Sequence, residues 1–246
     1  MSSDGTTKWL EAQTDIAARS EIDLGMYDGI NRAWSRASGD FYAWLNSDEQ
    51  YLPGTLKFVA DFFDDNQNVD IVFGDYIVTD RQGFPIAARR EIPFRRMYVV
   101  NGFLNTSSCT LFFRRNLYDR GLLILNSHYR YAADTEMMLR LHSAGSTICR
   151  LPKYLSLFGV DGKNLSAQDA AGRENLEVHT AAGAARWPLV RKLLLLGRHF
   201  ERLVSGAYRV TSLRYMYAMD ETPNYVEIEA DVVGGRYSLV DKNGLS

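Results

Sequence analysis

The sequence has few residues of the kinds that form disulfides or bind transition metals. It holds two cysteines, Cys109 and Cys149, and four histidines in 246 residues. Each cysteine lies among apolar or β-branched residues, which is typical of reduced thiols in a core rather than of a disulfide. The histidines form no cluster that indicates a transition-metal site. These shortages favour a reduced protein that is stabilised by its hydrophobic core.

Long apolar runs and an excess of charge are lacking as well. No apolar run is long enough to span a bilayer, and the opening residues MSSDGTTKW lack the basic and apolar regions of a signal peptide. The formal net charge of -2 gives no global bias toward nucleic acid. With 46% hydrophobic and 24% charged residues, the composition is that of a globular protein with a sizeable core. These features predict a cytoplasmic protein with no nucleic-acid partner.

Strand-like and helix-like patterns alternate up to about residue 158. The apolar run at 41–45 is typical of a short strand that is buried on both faces. This alternation predicts an α/β domain with a mainly parallel sheet. Further strands are predicted at 70–80, 109–113 and 146–151, and helices at 6–18, 27–37, 56–63 and 134–143.

The character of the sequence changes in its last third. Residues 161–175 are polar and contain glycine, which predicts a loop or lid, and residues 188–209 are rich in leucine and basic side chains. Residues 224–233 alternate strictly and are followed by Gly234-Gly235 and 236–240, which predicts an antiparallel hairpin. We therefore predict one domain over 1–175 and a C-terminal segment of helix and hairpin over 176–246.

Two carboxylates, Asp48 and Glu49, come shortly after the predicted strand 41–45. In open α/β sheets, ligands bind outside the carboxyl ends of the strands. Magnesium takes one or two protein carboxylates there and completes its shell with water and substrate phosphates. The alternative is that both acids are solvated loop residues before a helix, where they suit the helix dipole. The spacing alone leaves both interpretations open.

A longer pattern surrounds these carboxylates. Residues 20–56 read SEIDLGMYDGINRAWSRASGDFYAWLNSDEQYLPGTL. This string resembles the family 2 glycosyltransferases, which have the GT-A fold, and the resemblance extends over about residues 1–175. The matching residues are Glu21, Asp23, Gly25, Tyr27, Asp28, Asn31, Arg32, Gly39, Asp40, Leu45, Asn46, Ser47 and Asp48, followed by Gly74-Asp75, 106–115 and 129–141.

The opening of the family pattern has little counterpart here. Family members begin with a strand, a helix and a second strand that ends in Asp-Gly-x-Ser-x-Asp-Gly-Thr, and only residues 3–6 match its end. The resemblance therefore predicts an N-terminally truncated GT-A domain, with a Rossmann-like sheet and a C-terminal helix and hairpin appendage. An unpaired sheet edge is expected to make such a chain poorly soluble or inactive.

The resemblance implies an inverting, metal-dependent glycosyltransferase. Such an enzyme moves a sugar from a nucleotide-diphosphate donor to the hydroxyl of a saccharide or lipid-linked acceptor, with Mg²⁺ or Mn²⁺ as cofactor. It implies that Asp48 binds the metal and that Asp134 is the catalytic base. The alternative for Asp134 is a helix N-cap, for which aspartate is a preferred residue. The residues implied in binding the nucleotide sugar are Asp4, Glu21, Asp23, Asn31, Arg32, Asn46 and Ser47.

Three alternatives remain open at this point. The chain is either an active enzyme of surface polysaccharide or glycolipid assembly or a non-catalytic remnant that binds nucleotides. A nucleotidyltransferase is disfavoured because the chain lacks a glycine-rich, lysine-bearing phosphate loop.

For Arg32 the alternative is a surface arginine. Residues 186–209 either lie on an anionic membrane, at its inner face, or pack on the domain with four basic side chains solvated. Those four are Arg191, Lys192, Arg198 and Arg202.

Overall fold

The computed structural model describes residues 5–160, 169–219 and 224–234. Its helices are α1 Thr6–Glu11, α2 Met26–Arg36, α3 Thr55–Asp65, α4 Arg96–Asn101, α5 Arg115–Asp119, α6 Ala133–Ser143, α7 Asp169–Ala181 and α8 Pro188–Val204, with a 3-10 turn at Ser108–Thr110. Its strands are β1 Phe41–Tyr42, β2 Glu49–Tyr51, β3 Ile71–Thr79, β4 Pro85–Arg89, β5 Phe112–Arg114, β6 Ile148–Gly159, β7 Val210–Met219 and β8 Asn224–Val233.

Two long strands, β3 and β6, form the centre of the larger sheet. All nine residues of β3 are buried, and the strand order is β1-β5-β3-β6-β2, with β4 also paired to β3. The pair β3–β6 is parallel, whereas the other pairs in the described part of this sheet are antiparallel. The α/β class is confirmed, but the sheet is mixed rather than mainly parallel. Parallel pairing needs a long crossover, as between β3 and β6, whereas the short turn between β3 and β4 forces an antiparallel pair.

The apolar run at 41–45 does not form the predicted core strand. Its strand β1 has two residues at one edge of the sheet and pairs with β5. The run is apolar because Tyr42 and Trp44 fill the core under α2. The Trp34 indole donates a hydrogen bond to the Ala43 carbonyl at 3.2 Å, and the rings of Trp34 and Trp44 lie 5.5 Å apart, edge to face. Side-chain packing, not strand pairing, therefore explains the pattern.

Several other predicted elements are confirmed with changed bounds. Helix α1 ends at Glu11 rather than at residue 18. The first residues of the strand predicted at 109–113 form a 3-10 turn instead. Part of the predicted lid is helix α7, while residues 161–168 lie outside the described residues. The strand predicted at 224–233 is confirmed as β8. Its partner in the described chain is β7, which the sequence analysis did not predict, and 236–240 are not among the described residues.

The β7–β8 hairpin packs on the larger sheet. Leu213, Tyr215 and Ile228 share a core cluster with residues of β3, β4 and β6. The Tyr215 hydroxyl donates to the Gly83 carbonyl at 2.6 Å. The hairpin is therefore joined to the first part of the chain by buried contacts. The division into 1–175 and 176–246 stays a prediction.

Helix α8 packs with its basic side inward. Arg202 is 1% exposed and Arg198 is also buried, which corrects the expectation that both are solvated. Lys192 is exposed, as expected, and Arg191 is partly buried with its Nε donating to the Asn101 carbonyl. The opposite side of the helix carries exposed apolar residues, namely Leu189, Val190, Leu193, Leu196, Phe200, Leu203 and Val204. Among the described helices, α8 included, none has the length and apolar character needed to cross a membrane.

Candidate active site

A tight turn joins β1 to β2 and holds Asn46, Ser47, Asp48 and Glu49. The buried acid of this turn is Glu49, which is 6% exposed. One Glu49 carboxylate oxygen accepts from the Asn46 main-chain N–H at 2.8 Å and the other from the Ser108 hydroxyl at 3.0 Å. Burial raises the pKa of Glu49, against the effect of these hydrogen bonds. Glu49 therefore stabilises the turn through these hydrogen bonds on its buried side.

Asp48 lies on the outside of the same turn. Its side chain and that of Ser47 are exposed. The Asp48 carbonyl accepts from the Gly159 N–H at 3.1 Å, and a Cβ atom at Gly159 would lie 2.6 Å from that carbonyl oxygen. Only glycine allows the end of β6 to come this close. The turn is therefore placed against the end of a central strand.

The oxygen atoms of this turn fit a hard divalent cation. Asp48, Ser47 and Asn46 offer carboxylate, hydroxyl and amide oxygens, the types that Mg²⁺ accepts. No group of three or more His, Cys, Asp or Glu side chains that could hold a metal occurs within the described ranges. A single carboxylate is enough for magnesium when substrate phosphates complete its shell. The metal role of Asp48 stays a prediction.

Asp134 lies in the first turn of α6, in contact with Tyr27 of α2. A side-chain hydrogen bond with Tyr27 lowers the pKa of Asp134, and the Asp134 carboxylate accepts from the Thr135 N–H at 2.7 Å. Burial raises the pKa of Asp134, and these hydrogen bonds oppose the rise. Burial also raises the pKa of Tyr27, followed by the negative charge of Asp134. The pair is a carboxylate of increased basicity and a phenol that stays protonated.

Asp134 is not the N-cap of its helix. The cap position of α6 is Ala132, and no side chain caps it. Asp134 lies inside the helix, where its carboxylate accepts the hydrogen bonds of Tyr27 and Thr135. The N-cap alternative is therefore wrong. The catalytic role stays a prediction that this geometry permits.

Four of the predicted donor-binding residues lie on or near α2, namely Glu21, Asp23, Asn31 and Arg32. Their described contacts are with other residues of the protein. Glu21 pairs with both terminal nitrogens of Arg36, at 2.8 and 2.9 Å, and this bonding lowers the pKa of Glu21. Arg32 forms an ion pair with Asp28 at 2.9 Å. The described contacts thus match the surface-arginine alternative for Arg32. A contact of Arg32 with a diphosphate stays a prediction.

The other two of these four residues, Asn31 and Asp23, and a further candidate, Asp4, differ in how far the structure describes them. Both ends of the Asn31 side-chain amide bond the main chain of Leu125. The amide nitrogen donates to the Leu125 carbonyl at 2.7 Å, and the amide oxygen accepts from the Leu125 N–H at 2.9 Å. Asp23 accepts from the Gly25 N–H at 3.0 Å and closes the turn before α2. Asp4 lies outside the described residues. Asn31 and Asp23 therefore shape the region around α2.

A shared core anchors the turn at 46–49 and the start of α6. Trp44, which precedes the turn, and Ala133, which directly precedes Asp134, belong to one cluster together with Tyr27. The ring of Trp44 also stacks on Phe113 of the sheet, with centroids 6.1 Å apart. Asp134 thus directly follows a core residue, and the turn that carries Asp48 begins two residues after another, which suits a site that must hold a substrate in one geometry.

The sequence analysis missed three contributors to this site. Tyr27 was matched as part of the family string but given no role. Ser108 bonds Glu49 across 59 positions, and Glu174 of α7 accepts hydrogen bonds from the segment before α6. No local signal marks such partners, because their importance comes from residues that are distant in the sequence.

Comparison with known proteins identifies the family. The model described as glycosyl transferase family 2 matches residues 2–123, and relatives and solved structures agree with it. This match assigns residues 2–123 to glycosyl transferase family 2. Among the relatives of this chain are the PGL/p-HBAD biosynthesis glycosyltransferases of Mycobacterium bovis and Mycobacterium tuberculosis. They are 26% identical over 193 residues, which is 76% of this chain and 69% of each relative.

Solved structures show that this chain has the GT-A fold. The crystal structure of S. aureus TarS 1-349 in complex with UDP-GlcNAc is 17% identical, with a TM-score of 0.56. The match covers 82% of this chain and 61% of the TarS chain, so the chain spans less than two thirds of that solved protein. The same protein in complex with UDP gives a TM-score of 0.53 at 19% identity. These likenesses confirm the GT-A fold.

Proposed function

We propose that this family 2 protein is an inverting glycosyltransferase that uses a nucleoside-diphosphate sugar. The observation that carries the proposal is the Asp134 carboxylate, which lies beside Tyr27 with its pKa raised by burial. A general base works best when its pKa approaches the working pH. Since one carboxylate supplies the base, a single displacement that inverts the anomeric centre is the simplest reaction for this site.

In the proposed reaction, the acceptor hydroxyl oxygen attacks the anomeric carbon of the donor. Asp134 takes the hydroxyl proton, the bond to the diphosphate oxygen breaks, and the electron pair leaves with the diphosphate. Tyr27 stays protonated and holds the Asp134 carboxylate in place through its hydrogen bond. Asp48 would hold a divalent cation, which when bound supplies charge stabilisation for the diphosphate, and Asn46 and Ser47 would contact the nucleotide sugar.

The donor test is a calorimetric titration of the chain with UDP, GDP and dTDP, each with and without Mn²⁺. UDP comes first because TarS was crystallised with UDP and UDP-GlcNAc. We expect metal-dependent binding of one nucleotide, because a nucleotide-sugar transferase must hold the diphosphate. If a folded chain binds none of the three, the alternative of a non-catalytic family member is favoured.

Replacement of Asp48 tests the metal site directly. We expect Asp48→Ala to weaken metal-dependent nucleotide binding by at least about tenfold, since changes even in residues that only support metal ligands cost about 10–100-fold. Asp61→Ala is the matched control, because Asp61 is an exposed aspartate of the next helix, α3, paired with Lys57. Equal affinities of the two variants would contradict the role of Asp48.

We also propose that α8 lies on the inner face of an anionic membrane, close to lipid-linked acceptors. Leu189, Leu193, Leu196, Phe200 and Leu203 form one exposed apolar stripe along the helix. Trp187, which directly precedes the helix, is also exposed. The flanking exposed cations are Arg186, Lys192 and Arg209. A helix with an apolar face and flanking cations binds the surface of anionic bilayers.

Vesicle flotation of the full chain tests the membrane proposal. We expect binding to phosphatidylglycerol vesicles, reduced at least about tenfold in Leu193→Glu, since burying one leucine contributes about 1.5–3 kcal/mol. The control is Leu176→Glu, because Leu176 is an equally exposed leucine on α7. If the chain does not bind vesicles but dimerises through α8, a second copy of the chain, not lipid, covers the exposed apolar side of α8.

A further inference from the structure

A carboxylate from α7 binds the main chain immediately before α6. Glu174 accepts hydrogen bonds from three consecutive N–H groups, those of Arg130, Tyr131 and Ala132, at 3.0, 2.7 and 3.2 Å. Its second oxygen also accepts from the Arg130 N–H at 3.0 Å. Successive main-chain N–H groups that converge in this way form a concave site for an anion. Here a side chain of the same protein occupies that site.

Other contacts hold α7 in register with the same segment. The Tyr129 hydroxyl donates to Glu177 at 3.0 Å, and the Thr135 hydroxyl lies 3.5 Å from the Asn175 side-chain oxygen. Val178 packs in one cluster with Ala132. One face of α7 therefore lies along the segment from Tyr129 to Thr135, with the three hydrogen bonds of Glu174 at its centre.

The segment bound by Glu174 leads directly to Asp134. Ala132 is the cap residue of α6, and Asp134 lies in the first turn of that helix. The negative charge of Glu174 also complements the positive end of the α6 dipole. The electrostatic effect of Glu174 reaches the pair of Asp134 and Tyr27, because it helps to raise the pKa of Tyr27.

We propose that Glu174 is a positioning residue that holds the start of α6, and with it Asp134, in catalytic geometry. This inference rests on the proposed role of Asp134 as the base. A displacement of about 1 Å at a catalytic group can cost about 10²-fold in rate. The loss of three converging hydrogen bonds is a sufficient cause for such a displacement.

Kinetics of two Glu174 variants test the proposal. We expect Glu174→Ala to lower kcat about 10–100-fold per folded molecule, with the donor KM changed less than twofold. Glu174→Gln should fall between Glu174→Ala and the wild type, because its amide oxygen still accepts hydrogen bonds. The control Arg173→Gln, an exposed position of the same helix, should stay within twofold of the wild type. A merely structural role would lower the melting temperature without changing kcat per folded molecule.

Hydrogen exchange gives a second measurement that does not depend on activity. In Glu174→Ala the main-chain amides of residues 130–132 should exchange at least about tenfold faster than in the wild type, since their acceptor is gone. Exchange of these amides should be unchanged in Arg173→Gln. Unchanged exchange in Glu174→Ala would overturn the inference. If exchange is faster in Glu174→Ala but the wild type transfers no sugar, the contact of Glu174 with residues 130–132 is supported and the proposed function is refuted.

Discussion

Asp134→Asn is expected to lower kcat for sugar transfer by about 10²–10⁴-fold, the usual contribution of a general base. Asparagine keeps the size of the side chain and can still accept the hydrogen bond of Tyr27, but it cannot take the acceptor proton. Nucleotide binding should therefore stay at the wild-type level. Steady-state kinetics together with calorimetric titration of UDP separate the two effects.

The pH profile provides a companion measurement for the wild type. The base must be deprotonated, and burial raises the pKa of Asp134. Activity should therefore be lost as the pH falls through a value above the ordinary range of an aspartate. This acid limb should be absent from any residual activity of Asp134→Asn.

Glu136→Gln is the matched control for Asp134→Asn. Glu136 is the other acid in the first turn of α6 and pairs with Arg140 at 2.9 Å. Its replacement removes the same charge from the same end of the helix dipole. We expect turnover within about threefold of the wild type. Equal losses in both variants would assign the effect to the charge at the start of α6, and normal turnover of Asp134→Asn would contradict the role of Asp134 as the base.

Glu91→Ala is expected to destabilise the fold by about 3–5 kcal/mol, the cost of leaving a buried charge unpaired. Glu91 and Arg202 are each buried and form an ion pair at 2.8 Å. A second arginine, Arg89, contacts the other oxygen of Glu91 at 3.2 Å. Without Glu91, the Arg202 guanidinium would stay buried against Tyr208 with no counter-charge. Urea unfolding followed by tryptophan fluorescence measures the change.

A double variant distinguishes charge pairing from packing. Replacing both partners, as in Glu91→Leu with Arg202→Leu, should recover much of the stability, because a buried pair can often be exchanged for apolar residues without loss. Lys57→Ala, which removes an exposed pair with Asp61, should leave the urea midpoint unchanged. If Glu91→Ala behaves like Lys57→Ala, the ion pair does not stabilise the position of α8.

Local pattern was enough to predict most of the helices and the central strand. Each of four elements is indicated by its own local pattern: periodic apolar residues in α2, α3 and α6, and an apolar run in β3. The residues that form the packing face of such an element lie close together in the sequence. The family string predicted the fold and the candidate roles of Asn46, Ser47 and Asp48 for the same reason, since its residues lie close together in the sequence. Pattern alone could not predict that Glu49, rather than Asp48, is the buried acid.

What the sequence by itself determined is therefore the class of fold, the family and the two candidate carboxylates. The tertiary structure decided the strand directions, the pairing of β7 with β8, the contact of Glu174 with the start of α6 and the orientation of α8. The leucine-rich side of α8 would be assigned to the core from its periodicity. It faces outward because Arg202 pairs with a carboxylate 111 positions away. Such pairing depends on which surfaces meet after folding, and local periodicity carries no information about it.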